Sequence, residues 1–137
     1  GRNRMVTSVI EATLPWGPED VWQVVTDLRH TAWRSDLSRV EERGPRSFVE
    51  YTREGFPTQF TVTCAKPFQR WEFDLENANL RGHWVGTFAR AAGGTALCFT
   101  ETVEVKRWWM GPLVKGYLKR QQARYVEDLR RALEKQA

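Results

Sequence analysis

Glu101 is the residue of this chain whose setting most clearly suggests chemistry. Between Thr95 and Val105 the alternate residues Thr95, Leu97, Phe99, Glu101, Val103 and Val105 share one parity, and Glu101 is the single charge among them. A strand puts alternate side chains on one face, so a carboxyl group is expected among apolar neighbours. Desolvation disfavours the carboxylate and raises its pKa unless a cation or hydrogen-bond donors compensate. A poised carboxyl in a pocket is a candidate general acid or base. A bulge that turned Glu101 outward, or a structural pairing with an arginine, would remove that role.

The second signal is aromatic. Seven Trp, seven Phe and three Tyr are more large rings than a domain of 137 residues needs to close its core, and a lined cavity is one use for them. Trp71, Phe73 and Leu75 alternate with Glu72, Asp74 and Glu76, while Trp84 and Phe88 share a parity with Gly82 and Gly86. Those glycines either leave room for a ligand or let the sheet bend. The candidate ligand-binding set is Trp71, Phe73, Trp84, Phe88, Phe99, Glu101, Tyr51, Phe60 and Arg34, with Glu101 also the candidate catalytic residue. Arg34, next to Trp33, is placed at the cavity mouth, as are Arg53 and Gln59.

Other chemistries find little support. The two histidines, His30 and His83, and the two cysteines, Cys64 and Cys98, are scattered, whereas a zinc site needs three or four converging ligands, so no metal is expected. His83 falls on the parity opposite Trp84 and should face solvent. No Ser sits in a G-x-S-x-G turn. Gly82 and Gly86 lie within a strand without a following Gly-Lys pair, so no phosphate loop and no cofactor is expected.

The net charge of +4 is uneven: residues 106–137 hold nine Lys/Arg against three Asp/Glu, a net +6, and residues 1–105 a net −2. Nucleic-acid proteins spread basic residues with interleaved aromatics over a recognition surface. Here the charge falls on one C-terminal segment and reads first as a solvated helix face, so no nucleic-acid partner is expected. No apolar run reaches the roughly 18 residues of a membrane span, and the N-terminus lacks a secretory signal. Reduced thiols and a cytoplasmic location are the expectation, with a monomer or homodimer as the oligomeric state.

The elements that must position these residues follow from periodicity. Met5 to Leu14 alternates as a strand. Pro18-Glu19-Asp20 opens a helix in which Val21, Trp22, Val25 and Leu28 recur at helical spacing, and a short second helix is expected over residues 31–36 around Trp33. A weak strand over residues 37–43 and five more, over 47–54, 59–65, 70–76, 80–90 and 95–106, are separated by short Gly, Pro and Asn breaks that favour an antiparallel meander. Residues 113–135 form a long amphipathic helix. Trp108, Trp109 and Met110 just before it are expected to pack under its start; exposed, they would form a gate, a partner surface or a membrane-skimming edge. The domain spans 5–137, with residues 1–4 an appended or flexible tail.

This α+β order resembles the START-like superfamily, also called SRPBCC, which includes polyketide cyclase/dehydrase-type and lipid-transfer proteins. The resemblance rests on Ala12-x-x-Pro15 leading into Pro18-Glu19-Asp20-Val21-Trp22, on Thr26-Asp27, on Trp33, on Gly93-Gly94-Thr95 and on Gly111-Pro112. It implies a helix-grip fold: a curved sheet of about seven strands wrapped around the last helix, with a cavity between. The expected function is binding of a small apolar or aromatic ligand such as a lipid, quinone or polyketide-like compound. The alternatives are a cyclase/dehydratase-type enzyme using Glu101 as acid or base, and an interaction module docking through the basic helix or the Trp108-Trp109-Met110 segment.

Overall fold

Alternating apolar residues carry the chain into its first strand, β1 (Met5–Leu14), whose inward residues include Ser8 and Leu14, both buried. The computed structural model describes residues 5–136; residues 1–4, read above as a tail, and Ala137 lie outside the described residues. Helix α1 (Pro18–Thr26) starts without a side-chain cap, but Pro18 occupies the first turn and Glu19 and Asp20 complement the helix dipole. Its Val21, Trp22, Val24 and Val25 are buried.

The second short helix expected over residues 31–36 does not form. Turns replace it, with a single backbone bond from Arg34 N to Thr31 O at 3.0 Å. The reason is competition for its polar groups. Ser35 donates both its backbone N–H and its hydroxyl to the buried carboxylate of Asp128, each at 2.8 Å, and Arg34 closes on Asp36 two residues on. Donors drawn outward cannot build an i→i−4 ladder.

Six strands follow as an antiparallel meander: β2 (Leu37–Gly44), β3 (Ser47–Thr52), β4 (Pro57–Lys66), β5 (Arg70–Glu76), β6 (Leu80–Ala91) and β7 (Gly94–Val105). β1 pairs with β7, giving one seven-stranded sheet in the order β1-β7-β6-β5-β4-β3-β2. The register of β7 runs unbroken against both neighbours, pairing Glu101 with Trp84 on one side and Ser8 on the other. Directly opposed residues share a face. No bulge therefore turns Glu101 outward.

A short 3-10 turn (Trp108–Met110) leads into α2 (Gly111–Gln136). Val114, Leu118, Val126, Leu129 and Leu133 bury one stripe of this helix against the sheet, the helix-grip arrangement. The tie is polar as well as apolar. Ser8 Oγ donates to Gln122 Oε1 at 2.7 Å, and Gln122 Nε2 donates to Ser8 O at 2.9 Å and Phe99 O at 3.3 Å, all within the core. The Trp108-Trp109-Met110 segment departs from its expected packing: Trp108 and Trp109 stand in solvent and only Met110 is partly covered. The one buried apolar residue of the first helical turn, Val114, faces the core, and Leu113 beside it is as exposed as the tryptophans.

Candidate functional site

Between the concave face of the sheet and α2 lies a cavity of about 500 Å³. Register builds its wall. Phe48 lies opposite Phe60, and Phe73 opposite Trp84, and both pairs are stacked, with centroids 4.8 and 4.7 Å apart. Phe60 and Phe73 meet edge to face at 5.0 Å and Trp71 meets Phe73 at 5.4 Å, so the rings form one continuous surface across β3, β4, β5 and β6. Gly86 does not open space for a ligand. A side chain there would strike the Trp84 ring, which lies over the bare backbone; the glycine's absent Cβ is what lets the indole lie flat.

Beside these rings lies a polar cluster. Arg34, from the turn after α1, bonds Asp36 through Nε and Nη2, both at 3.1 Å, and Glu50 of β3 through Nη1 at 3.3 Å. Its guanidinium carbon sits 4.7 Å from the centroid of Tyr125 on α2, and burial notwithstanding, the flanking carboxylates hold its pKa above the ordinary value. Glu101 opens on the same cavity and makes no hydrogen bond or ion pair with the described residues. Burial first, and the nearby Glu50 carboxylate second, push its pKa up to about 7, with Arg34 pulling the other way. At neutral pH this carboxyl is thus divided between its acid and its base form. Burial likewise raises the Tyr125 phenol, against the opposing pull of Arg34. The indole N–H of Trp33 is buried with no partner among the described residues.

Of the residues singled out from sequence, Trp71, Phe73, Trp84, Phe99, Phe60, Arg34 and Glu101 line the cavity. Two do not. Phe88 packs edge to face on Trp22 of α1 at 5.6 Å and on Phe99 at 5.9 Å, within the core beside α1. Tyr51 lies on the outer face, where its ring stacks under Arg39 at 3.9 Å and its hydroxyl meets Arg43 and Glu41; β3 turns Phe48, Glu50 and Thr52 inward, which sends Tyr51 out. Arg53 binds Ser35 O at 3.0 Å instead of reaching into the mouth, and Gln59 faces the outer side near His83. His83 itself is bridged by Glu72 and Asp74 at 2.8 and 2.7 Å on that outer face.

Sequence reasoning missed Glu50, Asp36, Tyr125 and Trp33 as members of the site. Glu50 carried a readable signal, a lone carboxylate on the parity of Phe48, the same pattern that exposed Glu101. Asp36 and Trp33 come from a turn whose course depends on Asp128, far along the chain. Among the described residues no three His, Cys, Asp or Glu side chains converge as a metal site would require, and no helix is long and apolar enough to cross a membrane.

The same fold recurs in solved structures of low sequence identity. The Zhui aromatase/cyclase of a Streptomyces species is 12% identical with a TM-score of 0.82, over 95% of this chain and 94% of that one. A START superfamily protein from Mycobacterium smegmatis is 15% identical with a TM-score of 0.81, over 97% and 99% of the two chains. A conserved protein from Geobacillus kaustophilus is 15% identical with a TM-score of 0.83, over 95% and 96%. No curated protein sequence matches the chain. The family model described as polyketide cyclase / dehydrase and lipid transport matches residues 5–134, nearly the whole chain, and the protein belongs to that family.

Proposed function

We propose that the protein binds a small, largely aromatic or apolar molecule that carries a hydrogen-bonding oxygen, held between the sheet and α2. One observation carries the reading: a ring-walled cavity of about 500 Å³ ends in polar groups that the fold leaves unpaired. Pockets of roughly 300–1,000 Å³ with apolar walls and a few placed polar groups are the usual form of a small-molecule site. Stacked rings favour a flat ligand face. Glu101, as an acid, would donate to a ligand carbonyl or phenol oxygen, and the Arg34 cluster supplies the surrounding field. Native mass spectrometry of protein purified under mild conditions, with displacement of an apolar fluorescent dye, tests the reading. One-to-one occupancy is the expected result; a cavity that excludes every apolar probe overturns it.

A second reading has its own support in Glu101. A buried carboxyl with a pKa of about 7 that opens on the cavity suits proton transfer on a bound carbonyl compound, the acid form polarising the carbonyl oxygen and the base form accepting a proton from the neighbouring carbon. That is the chemistry of a cyclase or dehydratase. Turnover of a poly-β-ketone substrate should fall about 100-fold or more in Glu101→Gln, with binding retained. Unchanged turnover in the variant removes the enzymatic reading and leaves binding standing.

A further inference from the structure

An apolar face with no partner sits at the mouth of the cavity. Trp108 is 74% exposed, Trp109 56%, Leu113 68% and Tyr117 47%. Trp109, Leu113 and Tyr117 recur every four residues and fall on one side of the turn and helix. Those three also line the cavity, so they are its rim, while Trp108 projects beyond it. Water pays heavily to surround so large an apolar area, and patches of this kind mark a docking surface.

The charges around the face indicate what docks. From Lys106 to Val126 the chain holds six Lys/Arg and no Asp or Glu. Lys106 is engaged by Glu76 and Asn77, but Arg107, Arg120 and Arg124 are exposed and form no ion pair with the described residues. Arg120 and Arg124 continue the Leu113–Tyr117 stripe along α2, and Arg107 flanks the tryptophans. Indole rings beside free arginines match the boundary between lipid headgroups and acyl chains, where the rings embed and the cations meet phosphate. A second copy of the chain fits poorly, because a two-fold interface places each patch against itself and would set these arginines against their own counterparts. Among the described residues no helix is long and apolar enough to span a bilayer, so the proposed mode is to lie on the surface.

We propose that the face formed by Trp108, Trp109, Leu113 and Tyr117, flanked by Arg107, Arg120 and Arg124, docks on an anionic lipid surface and turns the cavity mouth toward it. An apolar ligand then passes between bilayer and cavity without crossing water. Docking stands or falls independently of what the cavity holds.

Flotation with vesicles of phosphatidylcholine alone and of phosphatidylcholine mixed equally with phosphatidylglycerol tests the proposal. The protein floats with the anionic vesicles, releases at about 0.5 M salt, and its tryptophan emission is quenched by brominated acyl chains. The double variant Trp108→Ala/Trp109→Ala loses about tenfold or more in partitioning, and Arg107→Gln/Arg124→Gln loses binding to the anionic vesicles alone. Trp108 does not line the cavity, so Trp108→Ala separates docking from ligand binding and from folding: partitioning falls while dye affinity and circular dichroism hold. Absence of flotation overturns the proposal, as does equal binding to the neutral vesicles. So does partitioning unaltered in the double variant, or a concentration-dependent dimer or RNA complex that the same substitutions abolish while vesicles remain unbound.

Discussion

Arg34 and Glu101 open on the same cavity, yet the guanidinium bonds Asp36 and Glu50 and leaves the Glu101 carboxyl without a partner. The one cation among three carboxyl groups is taken up by two of them. The third is left to burial, which drives it toward the neutral form. This division of charge, within a wall of stacked rings, is what distinguishes the site from an ordinary packed core.

The first consequence is a pH-dependent cost to the fold. Glu101 has its folded pKa raised from an ordinary 4.5 to about 7, so the folded state holds a proton that the unfolded chain releases. Below 4.5 both states are protonated and nothing is lost. As pH rises toward and through 7 stability declines, and above it the loss is complete. Glu101→Gln should therefore match wild type near the acid end and exceed it at alkaline pH by about 1–3 kcal/mol. Urea denaturation across that window checks the sign as well as the size.

Removing the cation should act in the opposite sense. Arg34→Met leaves Asp36 and Glu50 facing each other with no counter-charge in a partly buried site, a loss of about 3–5 kcal/mol. It also withdraws the one influence that lowers the Glu101 pKa, so the carboxyl titrates at still higher pH. NMR titration of the side-chain carboxyl carbon in both proteins measures that displacement directly.

Gln122 is the polar bolt between α2 and the sheet. Gln122→Ala removes the buried partner of the Ser8 hydroxyl together with the side-chain bonds to the Ser8 and Phe99 carbonyls, a cost of about 1–3 kcal/mol. Hydrogen exchange should accelerate across α2 before it does so in β5 and β6, because the helix loses its anchor while the sheet keeps its ladder.

Gly86 answers the question its sequence position raised. Its Cβ would occupy the space of the Trp84 ring, so Gly86→Ala must tilt that indole away from Phe73 and into the cavity. The expected outcome is a destabilisation of about 1–3 kcal/mol together with weaker binding of an apolar dye. A variant with full dye affinity would show that Trp84 does not border the binding volume.

Legibility in the sequence followed the range of the interactions. Period-two alternation in β1, β5 and β7 depends on a strand's own pleat, and the expected bounds of β1 and β5 coincide with those observed. The inward orientation of Glu101 follows from the same parity. Tyr51 and Phe88 went astray for different reasons. Tyr51 lies on the parity opposite Phe48, the β3 residue that packs in the core, and so faces out. Phe88 does face inward, but α1 covers that end of the sheet and closes it.

What the sequence determined by itself was the succession of elements, the face each strand offers the helix, and the presence of a solitary carboxyl among rings, because these depend on residues within a few positions of one another. Tertiary structure alone decided the rest. It dissolved a second helix through a bond from Ser35 to Asp128, assembled Arg34, Asp36, Glu50, Glu101 and Tyr125 from four segments into one polar cluster, and left Trp108 and Trp109 in solvent. Each of these outcomes is a contest between distant groups for the same hydrogen bond, the same charge or the same buried surface, and local periodicity contains no term for that contest.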